Sequence, residues 1–170
     1  MVDKSRSLLW GFGLLAIAVT IAGCGKGANS DQMFAENSDM NVKRLAWLYG
    51  VYQVNHNWNG PRDEYEFRKF IQSQSPNRLS KIGINADSLD DYFISERDNL
   101  PFKIRWEVIG SPRGPEKPVI FESNGVDGKF HVGFTGNKLV EVDQSEYDKL
   151  WSGETDEITV NTDQRQDVGQ

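Results

Sequence analysis

Phe102-Lys103-Ile104-Arg105-Trp106-Glu107-Val108 alternates apolar and charged residues without a break. A period of two puts Phe102, Ile104, Trp106 and Val108 on one face of an extended chain and the charges on the other, so it predicts a half-buried strand. Three more strand signals follow it. Residues 110–118 hold three prolines and two glycines and cannot be strand, whereas 119–122 can. Asn124-Gly125-Val126-Asp127-Gly128 offers two glycines for a turn, and Phe130, Val132 and Phe134 alternate after it. A Gly136-Asn137 turn then leads to Leu139-Val140-Glu141-Val142. Short connections between strands of this kind predict an antiparallel meander of about four strands.

Helical spacing lies on both sides of the strands. Upstream, Val42, Leu45, Leu48, Tyr49 and Tyr52 recur at intervals of three and four, with Ser38 and Asp39 as expected N-caps and an end near Asn55. Asp63 with Glu66 reads as a capping box for a shorter helix presenting Tyr65, Phe67, Phe70 and Ile71, closed by residues 73–76. Leu79, Ile82 and Ile84 read as a short extended piece, and Asp87 as the cap of a helical turn. Downstream, Asp143 with Glu146 opens a helical turn carrying Tyr147, Leu150 and Trp151. Helices followed by strands predict an α+β fold: a long N-terminal helix across one face of a small antiparallel sheet, with short extra helices. Trp47 and Trp106 are expected in the core, and Trp58 over an edge.

Farther out, the chain changes character. Lys4 and Arg6 precede an apolar run of about 14 residues ending in Ile21-Ala22-Gly23-Cys24. That run fits the core of an export signal and falls short of the roughly 20 residues a spanning helix needs. Cys24 is the chain's single cysteine, so it has no intramolecular disulfide partner. The expected organisation is a signal peptide at 1–23, a flexible tether at 24–37, a globular domain at 38–152 and an acidic disordered tail at 153–170.

Of the 170 residues, 38% are apolar and 26% charged, enough for one packed core and against wholesale disorder. The net charge is −6, and losing Asp3, Lys4 and Arg6 with the leader makes it −7. An acidic chain without a Lys/Arg cluster argues against nucleic acid as a partner.

The four residues Ile21, Ala22, Gly23 and Cys24 resemble the lipobox of bacterial lipoproteins, with Ile21 where Leu is more usual. The resemblance implies cleavage between Gly23 and Cys24, a diacylglycerol on the Cys24 sulfur and a third acyl chain on its amine. The partner so implied is a lipid bilayer. Gly25, a residue other than Asp after the cysteine, implies sorting to the periplasmic face of an outer membrane. Two further parts, 45–67 and 121–143, resemble small bacterial lipoproteins without an assigned activity. The Leu48-Tyr49-x-x-Tyr52 helix followed by Asn57, Gly60 and Pro61 is more weakly similar to the major pseudopilin of type II secretion. The apolar run departs from that pattern, because it is short and ends in a cysteine.

Chemistry is sparse. Gly110-Ser111-Pro112-Arg113-Gly114 does not match a G-x-S-x-G elbow. His56 and His131 are far apart, with no H-E-x-x-H, so no catalytic set, metal site or cofactor is expected. His56 reads as a turn residue and His131 as a solvent-facing strand residue. The acid pairs Asp63-Glu64 and Asp90-Asp91 read as helix starts. The leading expectation is a non-enzymatic, membrane-anchored protein that contacts an envelope component. A pseudopilin-like subunit and a hydrolase using scattered carboxylates stand as alternatives.

Overall fold

Apolar residues at 42, 45, 46, 48, 49 and 52 cover more than one side of a helix, and a helix so patterned must be packed on several sides. The computed structural model, which describes residues 40–154, bears this out. Helix α1 (Asn41–Asn55) lies across the sheet and also packs on the next helices. The expected leader, lipobox, tether and the tail from residue 155 lie outside the described residues, as do Ser38 and Asp39. The N-cap position of α1 belongs to Met40, which makes no side-chain cap. Instead the Glu96 carboxylate accepts the Asn41 N–H at 2.8 Å.

Helix α2 (Glu64–Gln72) begins where Asp63 accepts the Glu66 N–H at 2.8 Å, and it buries Phe67 and Ile71 completely. The extended piece expected over Leu79 to Ile84 does not form: α3 (Pro76–Lys81) takes in Leu79, and Ile82 follows as its C-cap. Ser75 accepts the Arg78 N–H and Pro76 sits at the first turn, where its missing donor costs nothing. Leu79 and Ile82 are buried, at the spacing a helix needs. A 3-10 segment (Ala86–Phe93) follows, capped by Asn85 rather than Asp87, and buries Leu89 and Phe93.

Four antiparallel strands run in order β1 (Lys103–Ile104), β2 (Pro118–Phe121), β3 (Lys129–Phe134) and β4 (Leu139–Asp143). The register pairs Ile104 with Ile120, Phe121 with Val132, and Val132 with Val140. The strand expected over 102–108 is cut to two residues. Past Arg105 the backbone finds other partners: Glu107 N–H donates to Pro61 and Val108 N–H to the Tyr49 hydroxyl. Glu107 also turns to φ 57°, which ends any extended run. Trp106 consequently stays half-buried, edge-on to Phe67, while Trp47 is buried at 8% exposure.

The sheet is covered on both faces. Ile104 and Ile120 join α1, α2, α3 and the 3-10 segment in one core. Phe121, Phe130, Val132, Phe134 and Val142 face a second core closed by Tyr147 and Leu150. Those two side chains stand on α4 (Gln144–Ser152), whose cap is Asp143 accepting the Glu146 N–H at 3.0 Å. One helix layer was expected; two are present. Close approach on the α1 side is made possible by Ala46 and Gly50, one turn apart. A Cβ on Gly50 would collide with the Thr135 carbonyl, and one on Gly133 would come within 2.8 Å of Ala46.

Candidate functional site

Gly50 in the middle of a helix is costly, so its close contact with Thr135 sets where α1 meets the end of β3. Beside that contact opens a cleft of about 420 Å3. Trp47, Val51, Val54 and Asn55 of α1 supply its largely apolar side. The long loop between β1 and β2 supplies Gly110, Ser111 and Glu116, and the β3–β4 turn supplies Thr135 and Gly136. Trp58, just after α1, completes the lining.

The loop is stitched to the helix end by short hydrogen bonds. Gln53 is 2% exposed and its amide donates to the Val108 carbonyl at 2.7 Å. Trp58 N–H donates to the Gln53 carbonyl at 2.7 Å, and Gly110 N–H to the Trp58 carbonyl at 2.7 Å. Tyr49, fully buried, donates its hydroxyl to the Arg105 carbonyl at 2.9 Å while accepting from Val108. Burial pushes that phenol far above its ordinary 10, outweighing the Val108 N–H, so it is a permanent donor. The cleft walls are thus fixed relative to each other.

Two adjacent residues at the cleft hold left-handed backbone: Asn57 at φ 53° and Trp58 at φ 67°. Asn tolerates that region; a Trp there is strained by roughly 1–3 kcal/mol. The Gln53–Trp58–Gly110 hydrogen bonds hold Trp58 in place. Trp58 in this conformation is part of the cleft lining.

The cleft's polar side chains include both donors and acceptors. Asn55 gives one amide N–H to the Val51 carbonyl at 3.0 Å, which leaves its second N–H and Oδ1. Thr135 Oγ1 accepts the Lys117 N–H at 3.0 Å and keeps its own proton to donate. The Glu116 carboxylate lies over Gly136, where any Cβ would strike it. No described group donates to Glu116 or to the Ser111 hydroxyl. Arg78, also on the lining, stacks over Trp47 at 5.3 Å from the ring centroid and donates to Gln74 at 3.1 Å.

A second cluster sits beyond the N-terminus of α1. Glu122, only 1% exposed, accepts the Ser95 hydroxyl at 3.0 Å and the His131 N–H at 2.7 Å. Arg97 Nη1 bridges Glu122 at 3.4 Å and Glu141 at 3.3 Å. The His131 ring lies between the same acids, at 3.8 and 3.6 Å. Its side chain is 13% exposed, so the solvent-facing expectation fails: the loop carrying Ser95 and Arg97 covers that face. Burial lowers the His131 pKa below 6.5; Glu122 opposes this and Arg97 adds to it. Asp98 in the same loop accepts from Asn124 at 2.8 Å and Gly125 at 3.0 Å. Buried at Glu122 and open to solvent at Glu141, this network ties the loop to β2, β3 and β4.

His56 remains an exposed turn residue, stacked on Tyr52 at 3.8 Å with Nδ1 2.8 Å from the Tyr52 carbonyl. Asp63 caps α2 as expected. Asp90 lies inside the 3-10 segment, paired with Arg68 at 2.7 Å, instead of starting a helix. Among the described residues, no three His, Cys, Asp or Glu side chains converge as metal ligands, and no helix is long and apolar enough to cross a membrane. Ile21, Ala22, Gly23 and Cys24 lie outside the described residues. Sequence reasoning missed the cleft. Its traces were the mid-helix Gly50 and the Gly/Pro-rich 110–118 segment, which read only as a spacer.

No family model matches the chain, and neither a curated protein nor a solved structure matches it.

Proposed function

We propose that this chain is a bacterial lipoprotein, anchored through acylated Cys24 at the periplasmic face of an outer membrane, whose domain acts as a non-enzymatic binding module. The observation that carries the reading is the sequence Ile21-Ala22-Gly23-Cys24 at the end of a charged-then-apolar leader, holding the only cysteine of the chain. Each buried methylene of an acyl chain contributes about 0.8 kcal/mol, so two or three chains hold a domain of this size to a bilayer. Sixteen positions separate Cys24 from Met40 (40 − 24), a span of at most roughly 58 Å when fully extended. The domain can therefore meet a component well away from the lipid headgroups. Its binding face, on this reading, is the cleft between α1 and the β1–β2 loop, whose walls are fixed and whose Trp58 is held at an energetic cost.

Fatty-acid labelling in cells, followed by mass spectrometry of the N-terminal peptide, tests the anchor. Label on residue 24 of the wild type and its loss in Cys24→Ser supports it. An intact leader or an unmodified cysteine refutes it.

A further inference from the structure

We infer that the cleft binds a neutral saccharide chain, an assignment that rests on reading this cleft as the binding face of the domain. A pyranose ring has a flat C–H face and a rim of hydroxyls, each both donor and acceptor. The cleft offers a counterpart to each. Trp58 and the aliphatic Val51 and Val54 form the side suited to a C–H face. Glu116 can accept two neighbouring hydroxyls, Asn55 Oδ1 a third, and the Ser111 and Thr135 hydroxyls can donate in return.

Charge narrows the ligand class. Glu116 and Arg78 are the cleft's one acid and one base, so the lining as a whole has no charge to match an ionic ligand. The described domain carries 15 Lys/Arg against 17 Asp/Glu (15 − 17 = −2), which gives an anion no long-range attraction. A peptide strand is also a poor fit. Strand addition needs unpaired backbone groups, but Thr135 N–H is taken by the Lys117 carbonyl and Gly110 N–H by Trp58. The volume of about 420 Å3 falls within the roughly 300–1,000 Å3 of small-molecule sites, and the cleft is open to solvent, as a chain-like ligand requires.

The test titrates the full chain, in detergent, with short neutral oligosaccharides of glucose and of N-acetylglucosamine, reading tryptophan fluorescence and heat. Saturable binding is expected, weakened roughly tenfold or more by Trp58→Ala and several-fold by Glu116→Gln. Because Trp58→Ala releases a strained turn, far-UV circular dichroism accompanies it, and the conservative Glu116→Gln decides the matter if that variant misfolds. Absence of saturation with both sugars, or binding untouched by Glu116→Gln, overturns the inference. Saturation instead by tetramethylammonium or by a proline-rich peptide also overturns it. Lipidation of Cys24 is read on the same sample by mass spectrometry. A lipidated chain that binds no sugar sinks only this inference, and an unlipidated chain that binds sugar sinks only the anchor.

Discussion

Glu96 caps a helix that begins 55 positions before it: its carboxylate accepts the Asn41 N–H at 2.8 Å. The Asn41 side chain, itself 7% exposed, returns the contact by donating to the Asp91 and Ile94 carbonyls at 3.0 and 3.1 Å. One pair of neighbourhoods thus satisfies backbone groups on both segments, and the negative charge stands at the positive end of the helix.

Glu96→Ala is expected to cost about 0.5–2 kcal/mol in urea unfolding, the usual worth of a helix cap. Glu96→Gln, which keeps the acceptor oxygen, should cost less. Asn41→Ala strands two carbonyls and should cost roughly 1–3 kcal/mol. Equal stability of the wild type and Glu96→Ala would show that the cap contributes nothing.

Burial holds the His131 pKa below 6.5 in the folded chain, with Glu122 opposing and Arg97 reinforcing. The unfolded chain therefore binds the proton more readily, and stability should fall as pH drops from about 6.5 through the lowered folded value. His131→Asn should flatten the denaturant midpoint across that window. Asp98 acts in a separate, lower one. Burial raises its pKa, but the Asn124, Leu100 and Gly125 N–H groups bring it below 3.8, so its contribution is lost only as pH falls below that. An unchanged slope in His131→Asn between about pH 7 and pH 5 would assign the acid sensitivity elsewhere.

Gly50→Ala separates two effects of opposite sign. Helix propensity favours alanine by about 1 kcal/mol. The new Cβ, however, meets the Thr135 carbonyl, and overpacking of that kind costs typically 1–3 kcal/mol or more. We expect net destabilisation, with a widened cleft. Gly128→Ala is the control: φ is 73° but nothing lies within 4 Å, so only the backbone penalty of about 1 kcal/mol remains. A stabilised Gly50→Ala would mean that α1 rides farther from β3 than described.

What could be read from the sequence was what repeats locally. Alternation located the four antiparallel strands within a residue or two, except where Trp106 and Glu107 kept alternating after the backbone had left the ladder. That departure depends on Pro61 and Tyr49, which are more than 40 positions away from Glu107 and no local pattern can contain them. Asp63 and Asp143 were legible as caps because their partners lie three residues on. Met40 was not, because its function had passed to Glu96. Leu79, Ile82 and Ile84 were correctly apolar but misread as extended, since short apolar runs fit either period. His131 was misplaced because the Ser95–Arg97 loop covers its face of β3, which an isolated meander would leave wet. The cleft drew on four distant segments and was invisible for the same cause.

Asn55, the last residue of α1, and Pro118, the first of β2, stand 63 positions apart (118 − 55). On the ribosome, the helix emerges long before the strands that shelter its apolar side, and closing so long a loop is slow. In a chain read as exported, that delay is useful. The part synthesised first cannot complete its tertiary packing until β2 and β3 arrive, which leaves a long interval in which the polypeptide can still be threaded through a membrane pore.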